Sequence, residues 1–184
     1  MYSISNQKTR YIVRIGVFSA LAFIIMLLEF YIGFAEYLKL DFSDVIAMIG
    51  GITMGPLAAA AIQLIKNLLK ALIITRTAGI GELANLIVGI AFVVPASIVY
   101  HKFKSNKGLF LGLIVGSISM VIFACIANLF IILPLYFGSS LTFVMRWNTV
   151  LAVFLPFNII KGIIVSLVTY LLHLAMKPIY KHFI

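Results

Sequence analysis

The chain has 184 residues, 64% of them hydrophobic and only 10% charged, and its mean hydropathy is +1.19. A soluble domain carries about a quarter charged residues, so this chain has too little polar surface to cover a water-exposed globule, and a soluble enzyme is excluded. The net charge of +9 could suggest nucleic acid, but the lysines and arginines flank long apolar runs, where membrane topology explains them better.

The apolar runs are continuous and rich in Leu, Ile, Ala and Gly, without the alternation of a membrane barrel strand. A spanning helix needs roughly 20 apolar residues, which leaves room for about six spans. Span one covers about Tyr11 to Phe30. It is too long for a signal-peptide core, lacks an A-x-A site and is expected to remain as a helix. Span two is short, about Phe42 to Met54, and ends at Gly55-Pro56. Span three follows from about Leu57 to Ile74, and span four from about Glu82 to Tyr100. After the linker His101–Gly108, span five runs from about Leu109 to Leu135, with Pro134 near its end. Span six runs from about Val150 to Met176, with Pro156 in its first turns. The expected fold class is an all-α polytopic membrane bundle of six transmembrane helices forming one domain over 1–184, with no second domain visible.

The charges test this arrangement. Lys8, Arg10 and Arg14 precede span one, Lys102, Lys104 and Lys107 lie between spans four and five, and Lys177 and Lys181 follow span six. The positive-inside rule makes all three places cytoplasmic, and an even number of spans requires the same grouping. Lys39, Arg76 and Arg146 fall on the outer side, together with all five acids, Glu29, Glu36, Asp41, Asp44 and Glu82. The acids either avoid the cytoplasmic anchors or mark an outer polar site.

Three lysines, Lys66, Lys70 and Lys161, lie inside spans, where each costs about 2.5–3.5 kcal/mol at a helix centre. Lys70 is one turn from the outer end of its span and can snorkel. Lys66 is deeper and could pair with a carboxylate. Lys161 is too deep to snorkel and shares a helix face with Asn158, three residues earlier. With Asn128 of span five at similar depth, these groups can form one amide–ammonium cluster able to grip the polar edge of a flat heterocycle. Buried Asn otherwise bonds a neighbouring helix, worth about 1 kcal/mol. Glu82 suits a helix start, whereas Asn85, one turn later, is less well explained by one. In Leu40-Asp41-Phe42-Ser43-Asp44, helix capping accounts for one of the two acids. Gly16, Ala20 and Ala22 give span one a small-residue face for close helix contact, internal or with a membrane partner.

Other chemistry is missing. There is no G-x-x-x-x-G-K-[ST] loop for ATP and no H-E-x-x-H; His101, His173 and His182 fall near the cytoplasmic face, and the lone Cys125 reads as a small hydrophobe. The pattern is that of a binder or carrier without its own engine, and not an enzyme.

In order along the chain, Lys39-Leu40-Asp41-Phe42-Ser43-Asp44, Gly55-Pro56-Leu57, Lys66-Asn67 and Gly81-Glu82-Leu83-Ala84-Asn85 resemble the riboflavin-specific substrate-binding subunits (S components) of energy-coupling factor (ECF) vitamin transporters. The resemblance covers nearly the whole chain. It implies a bundle that binds one vitamin near the outer face of a bacterial cell membrane, with both termini cytoplasmic. The partners implied are a transmembrane coupling subunit (EcfT) and two cytoplasmic ATPases (EcfA and EcfA'). It also implies that Asn128, Asn158 and Lys161 hold the ring's polar edge, that Glu82 with Gly81 lies by the ribityl chain, and that Leu40 to Ser43 close the site. Docking on the coupling subunit would use span one, where Gly16 stands in place of the family's first Ala. No resident cofactor is implied; riboflavin is the transported ligand, and the sequence leaves open whether flavin mononucleotide also binds.

Two alternatives remain. An S component for another heterocycle such as thiamine would need an acid facing a cationic ring, and a stand-alone proton-coupled carrier usually has a mid-membrane acid. The sequence places no acid deep in the bundle, which disfavours both.

Overall fold

The computed structural model describes residues 4–31 and 38–180 of the chain. Glu36, Lys181 and His182 lie outside the described residues.

The chain forms helix α1 (Ile4–Met26), a two-residue strand β1 (Phe30–Tyr31) paired antiparallel with β2 (Lys39–Leu40), and then α2 (Ser43–Met54), α3 (Pro56–Ile73) and α4 (Ile80–Phe103). A second half follows: α5 (Asn106–Ala127), α6 (Leu133–Phe137), α7 (Phe143–Thr149) and α8 (Leu155–Tyr180). π-turns at Asn128–Ile132 and Val150–Phe154 join α5 to α6 and α7 to α8, so each pair makes one continuous membrane-length rod. Among the described residues, five helical rods are long and apolar enough to cross a bilayer, and α2 is a shorter apolar helix among them. The expected six-helix membrane bundle is therefore present.

Two boundaries differ clearly from the sequence expectation. Span one ends at Met26 instead of Phe30, because Phe30 and Tyr31 pair with Leu40 and Lys39 as a strand. That hairpin has no apolar period to announce it. Span six begins at Phe143 instead of Val150, since Thr142 caps the helix by accepting from the Met145 amide at 3.3 Å. Pro156 thus sits well inside the rod.

The π-turns explain how both rods carry a proline. Proline has no amide hydrogen and its ring presses on the carbonyl four residues back. Just before Pro134, the Leu133 amide reaches back five residues to the Asn128 carbonyl; just before Pro156, the Leu155 amide does the same to Val150. The widened turn absorbs the clash without a sharp break. At Gly55, φ is +100°, a value that favours glycine, and Pro56 opens the next helix at a position where its missing donor costs nothing.

The core is built from Met48, Ile52, Ile62, Phe92, Leu109 and Met120, each fully buried. A second apolar cluster of Leu129, Leu133, Val150 and Phe154 lies where the two π-turns meet. Close approach of α4 and α5 rests on Gly112 and Gly116: a Cβ there would fall 2.6 Å from the Ala96 carbonyl oxygen and 2.5 Å from that of Phe92. The outer surface exposes Leu57, Leu72 and Ile12, which is costly in water and ordinary in lipid.

Candidate functional site

The polar residues that the bilayer makes expensive converge at one end of the bundle. That end is where α2, α4 and α8 begin and where α5 finishes. At its centre is a residue the sequence had placed only at a helix start. Asp44, second in α2, is fully buried. Its Oδ1 accepts from Lys66 Nζ of α3 at 2.6 Å and from Gln63 Nε2 of α3 at 2.8 Å. Its Oδ2 is ion-paired with Lys161 Nζ of α8 at 2.9 Å. Lys66 also donates to Ser43 Oγ at 2.5 Å, and Lys161 to Asn85 Oδ1 of α4 at 3.1 Å. One continuous network therefore ties four helices together.

This corrects the expectation that no acid lies in the interior. Asp44 was grouped with the outer-half acids because it follows a polar stretch. The fold instead sinks the start of α2 between α3 and α8, and a carboxylate can be buried there because two ammonium groups meet it. Acid depth therefore does not by itself disfavour a proton-coupled carrier or a cation site, but a carboxylate held by two lysines is a poor proton relay.

The other expected site residues distribute as follows. Asn128 and Asn158 are buried, at 3% and 4% exposure, and each donates its amide to the carbonyl four residues back, Ala124 at 2.7 Å and Phe154 at 2.8 Å. With its NH2 so held, Asn128 keeps a buried Oδ1 that has no partner. Asn158 stands one turn before Lys161 on α8, while Asn128 opens the π-turn of the facing rod. No direct bond links either Asn to Lys161; the partners of that lysine are Asp44 and Asn85.

Glu82, at 6% exposure, accepts from Thr75 Oγ1 at 3.0 Å and Thr77 Oγ1 at 2.8 Å. Thr77 Oγ1 also accepts from the Gly81 amide at 3.0 Å, so the turn before α4 is organised around this carboxylate. Leu40 and Asp41 are 5% exposed and Ser43 is fully buried; Asp41 Oδ1 accepts from the Ser43 amide at 2.8 Å. Phe42 packs its ring edge-on against Phe30 at 6.3 Å. Above them, Glu29 bridges Lys39 at 3.4 Å and Lys70 at 3.1 Å, which gives Lys70 an ion-pair partner in addition to its route to the interface.

On α1, Gly16 and Ala20 are exposed, and a Cβ at Gly16 would have nothing within 4 Å. Ala22, by contrast, is fully buried in this chain's own core, two residues round the helix from Ala20. It cannot share an outward face with them, so the docking expectation is corrected to Gly16 and Ala20.

Asp44 and Gln63 are the members that sequence reasoning missed. A usable signal existed for Asp44: two lysines inside spans demand an anionic partner, and only five acids were available. Gln63 lies one turn before Lys66-Asn67, on the same face of α3.

Apolar membrane-length rods with buried polar side chains gathered at one end define a multi-pass membrane protein. Comparison with known proteins makes this specific. The sequence model of the ECF transporter substrate-specific component matches residues 10–173. Among curated proteins, the riboflavin transporter FmnP of Bacillus subtilis (strain 168) is 39% identical over 179 residues, covering 94% of each chain. The riboflavin transporter RibU of Staphylococcus aureus (strain TCH60) is 37% identical over 92% of each. A solved structure of the S component of a bacterial ECF transporter superposes with a TM-score of 0.83 at 36% identity, covering 95% of this chain and 99% of that one. The chain belongs to the family of ECF transporter substrate-specific components. It is a transport component, not an enzyme.

Proposed function

We propose that this chain binds riboflavin in the membrane and serves as the riboflavin-specific S component of an ATP-driven ECF uptake system. The observation that carries the reading is Lys161: an ammonium at 3% exposure inside a spanning rod, directed toward Asn85 and one turn from Asn158. Relatives covering nearly the whole chain are named riboflavin transporters, which supports the choice of ligand.

The chemistry matches. Riboflavin presents an apolar tricyclic ring, a pyrimidine edge that reads acceptor–donor–acceptor, and a hydroxylated tail. Lys161 and Asn158 can donate to the edge carbonyls, and the unpartnered Asn128 Oδ1 can accept from the ring N–H between them. Glu82, Gly81 and Asn85 at the start of α4 lie where a hydroxylated tail would find acceptors and amides. Leu40 to Ser43 form the lid-side wall. Every one of Leu40, Asp41, Ser43, Glu82, Asn128, Asn158 and Lys161 is 6% exposed or less, so entry requires the segment over them to move.

The basic clusters at the helix ends remote from this site support cytoplasmic termini in a bacterial cell membrane, with the ligand entering from outside. The exposed Gly16 and Ala20 of α1 offer a close-approach face for the coupling subunit EcfT, with ATP hydrolysed by EcfA and EcfA'. The purified chain should be yellow, with a flavin absorption spectrum, or should quench flavin fluorescence on titration. Colourless protein that takes up no riboflavin at micromolar concentration would sink the proposal.

A further inference from the structure

Asp44 belongs to none of the residues assigned above to the ligand, yet it controls the group that matters most there. A lysine side chain has a flexible four-carbon stem and three rotatable donors, so its ammonium points wherever its partners hold it. Buried without a counter-charge, it would cost several kcal/mol. Lys161 meets both needs through one oxygen, Asp44 Oδ2 at 2.9 Å. Asp44 cannot follow a moving lysine, because its other oxygen is clamped from α3 by Lys66 at 2.6 Å and Gln63 at 2.8 Å. Gln63 in turn is pressed against α4 at Gly89, where an added Cβ would fall 2.5 Å from its Oε1.

The donors of Lys161 can be counted. One faces Asp44, one is given to Asn85 at 3.1 Å, and the ammonium has three. The third is free for a ligand carbonyl. We infer that Asp44 is a positioning residue: anchored by Lys66 and Gln63, it holds the Lys161 ammonium charged and aimed so that one donor remains for the bound heterocycle. Asp44 itself does not touch the ligand. This role rests on the riboflavin-binding reading above.

A purely structural role, tying α2 to α3 and α8, predicts a different outcome, and a mutant cycle separates the two. Asp44→Asn alone strands two buried lysines and can fail to fold. The informative comparison is Lys66→Met against Asp44→Asn/Lys66→Met. The second substitution removes the acid, while the pair together preserves the net charge of the network. Riboflavin is titrated into each purified chain in detergent, with thermal unfolding measured alongside.

The K66M protein keeps the Asp44–Lys161 pair, with Gln63 still holding Asp44, and should lose some binding, whereas D44N/K66M should bind about tenfold or more weaker than K66M. Adding Lys161→Met to D44N/K66M should cost far less binding than adding it to K66M, because both routes disable the same donor. Equal affinity in K66M and D44N/K66M, or losses that simply add, would overturn the inference while leaving the riboflavin reading intact. A natural chain that binds no riboflavin would overturn both.

Discussion

The two ends of this bundle hold their helices together by different means. At the end where α2, α4 and α8 begin, side chain meets side chain: Asp44 with Lys66 and Lys161, Lys161 with Asn85, Glu82 with two threonines. At the other end, beside a Lys177–Asn106 bond near the surface, side chains and glycines meet backbone. Ser97 Oγ donates to the Gly51 carbonyl at 2.9 Å, the His101 ring Nε2 lies 2.8 Å from the same oxygen, and Gly112 and Gly116 press on α4 carbonyls. Backbone contacts of this kind permit one packing only. Side-chain contacts made by long ammonium stems can be re-formed around a guest. The proposed ligand site lies at the first end, and the backbone-packed end serves as its base.

Substitutions at the two ends should separate binding from stability. The largest effect is expected for Lys161→Ala: loss of about 2 kcal/mol or more of riboflavin binding, roughly thirtyfold or greater in Kd. Its unfolding temperature should change little, since Asp44 keeps Lys66. Unchanged affinity would remove Lys161 from the site. Next comes Gly116→Leu at the base. A side chain cannot fit 2.5 Å from the Phe92 carbonyl, so α4 and α5 must part, at a cost of about 1–3 kcal/mol or more. Thermal unfolding should register it, while whatever protein remains folded should bind riboflavin normally.

Ser97→Ala should cost about 1 kcal/mol by the same assay and leave riboflavin affinity alone. The smallest effect is expected for Glu29→Gln, which weakens the bridge between Lys39 and Lys70 near the membrane surface. Its stability cost should stay below about 1 kcal/mol and shrink in high salt. A change in riboflavin on-rate larger than the change in stability would tie that bridge to entry.

The same division explains what could be read from the sequence. Spans and the expensive lysines were legible because the bilayer penalises polarity in a way that depends on composition alone. Lys161 stood out for that reason, and Gly112 and Gly116 show a visible small-residue spacing. Asp44 did not stand out, because its burial depends on how the start of α2 docks against α3 and α8, a fact of tertiary packing. Ala22 was misplaced for a related reason: small residues look alike in sequence whether they face the chain's own core or its surroundings. The β1–β2 pairing was also hidden, since two-residue strands carry no period.

The brevity of α2 has a further consequence. Twelve residues of helix rise about 18 Å, well short of the roughly 30 Å of hydrocarbon in a typical bilayer. Most of α2 is buried, so neighbouring helices and not lipid make up the difference in length. A short helix walled by protein can begin deep in the bundle, which is how its second residue, Asp44, comes to be an acid sealed from the bilayer.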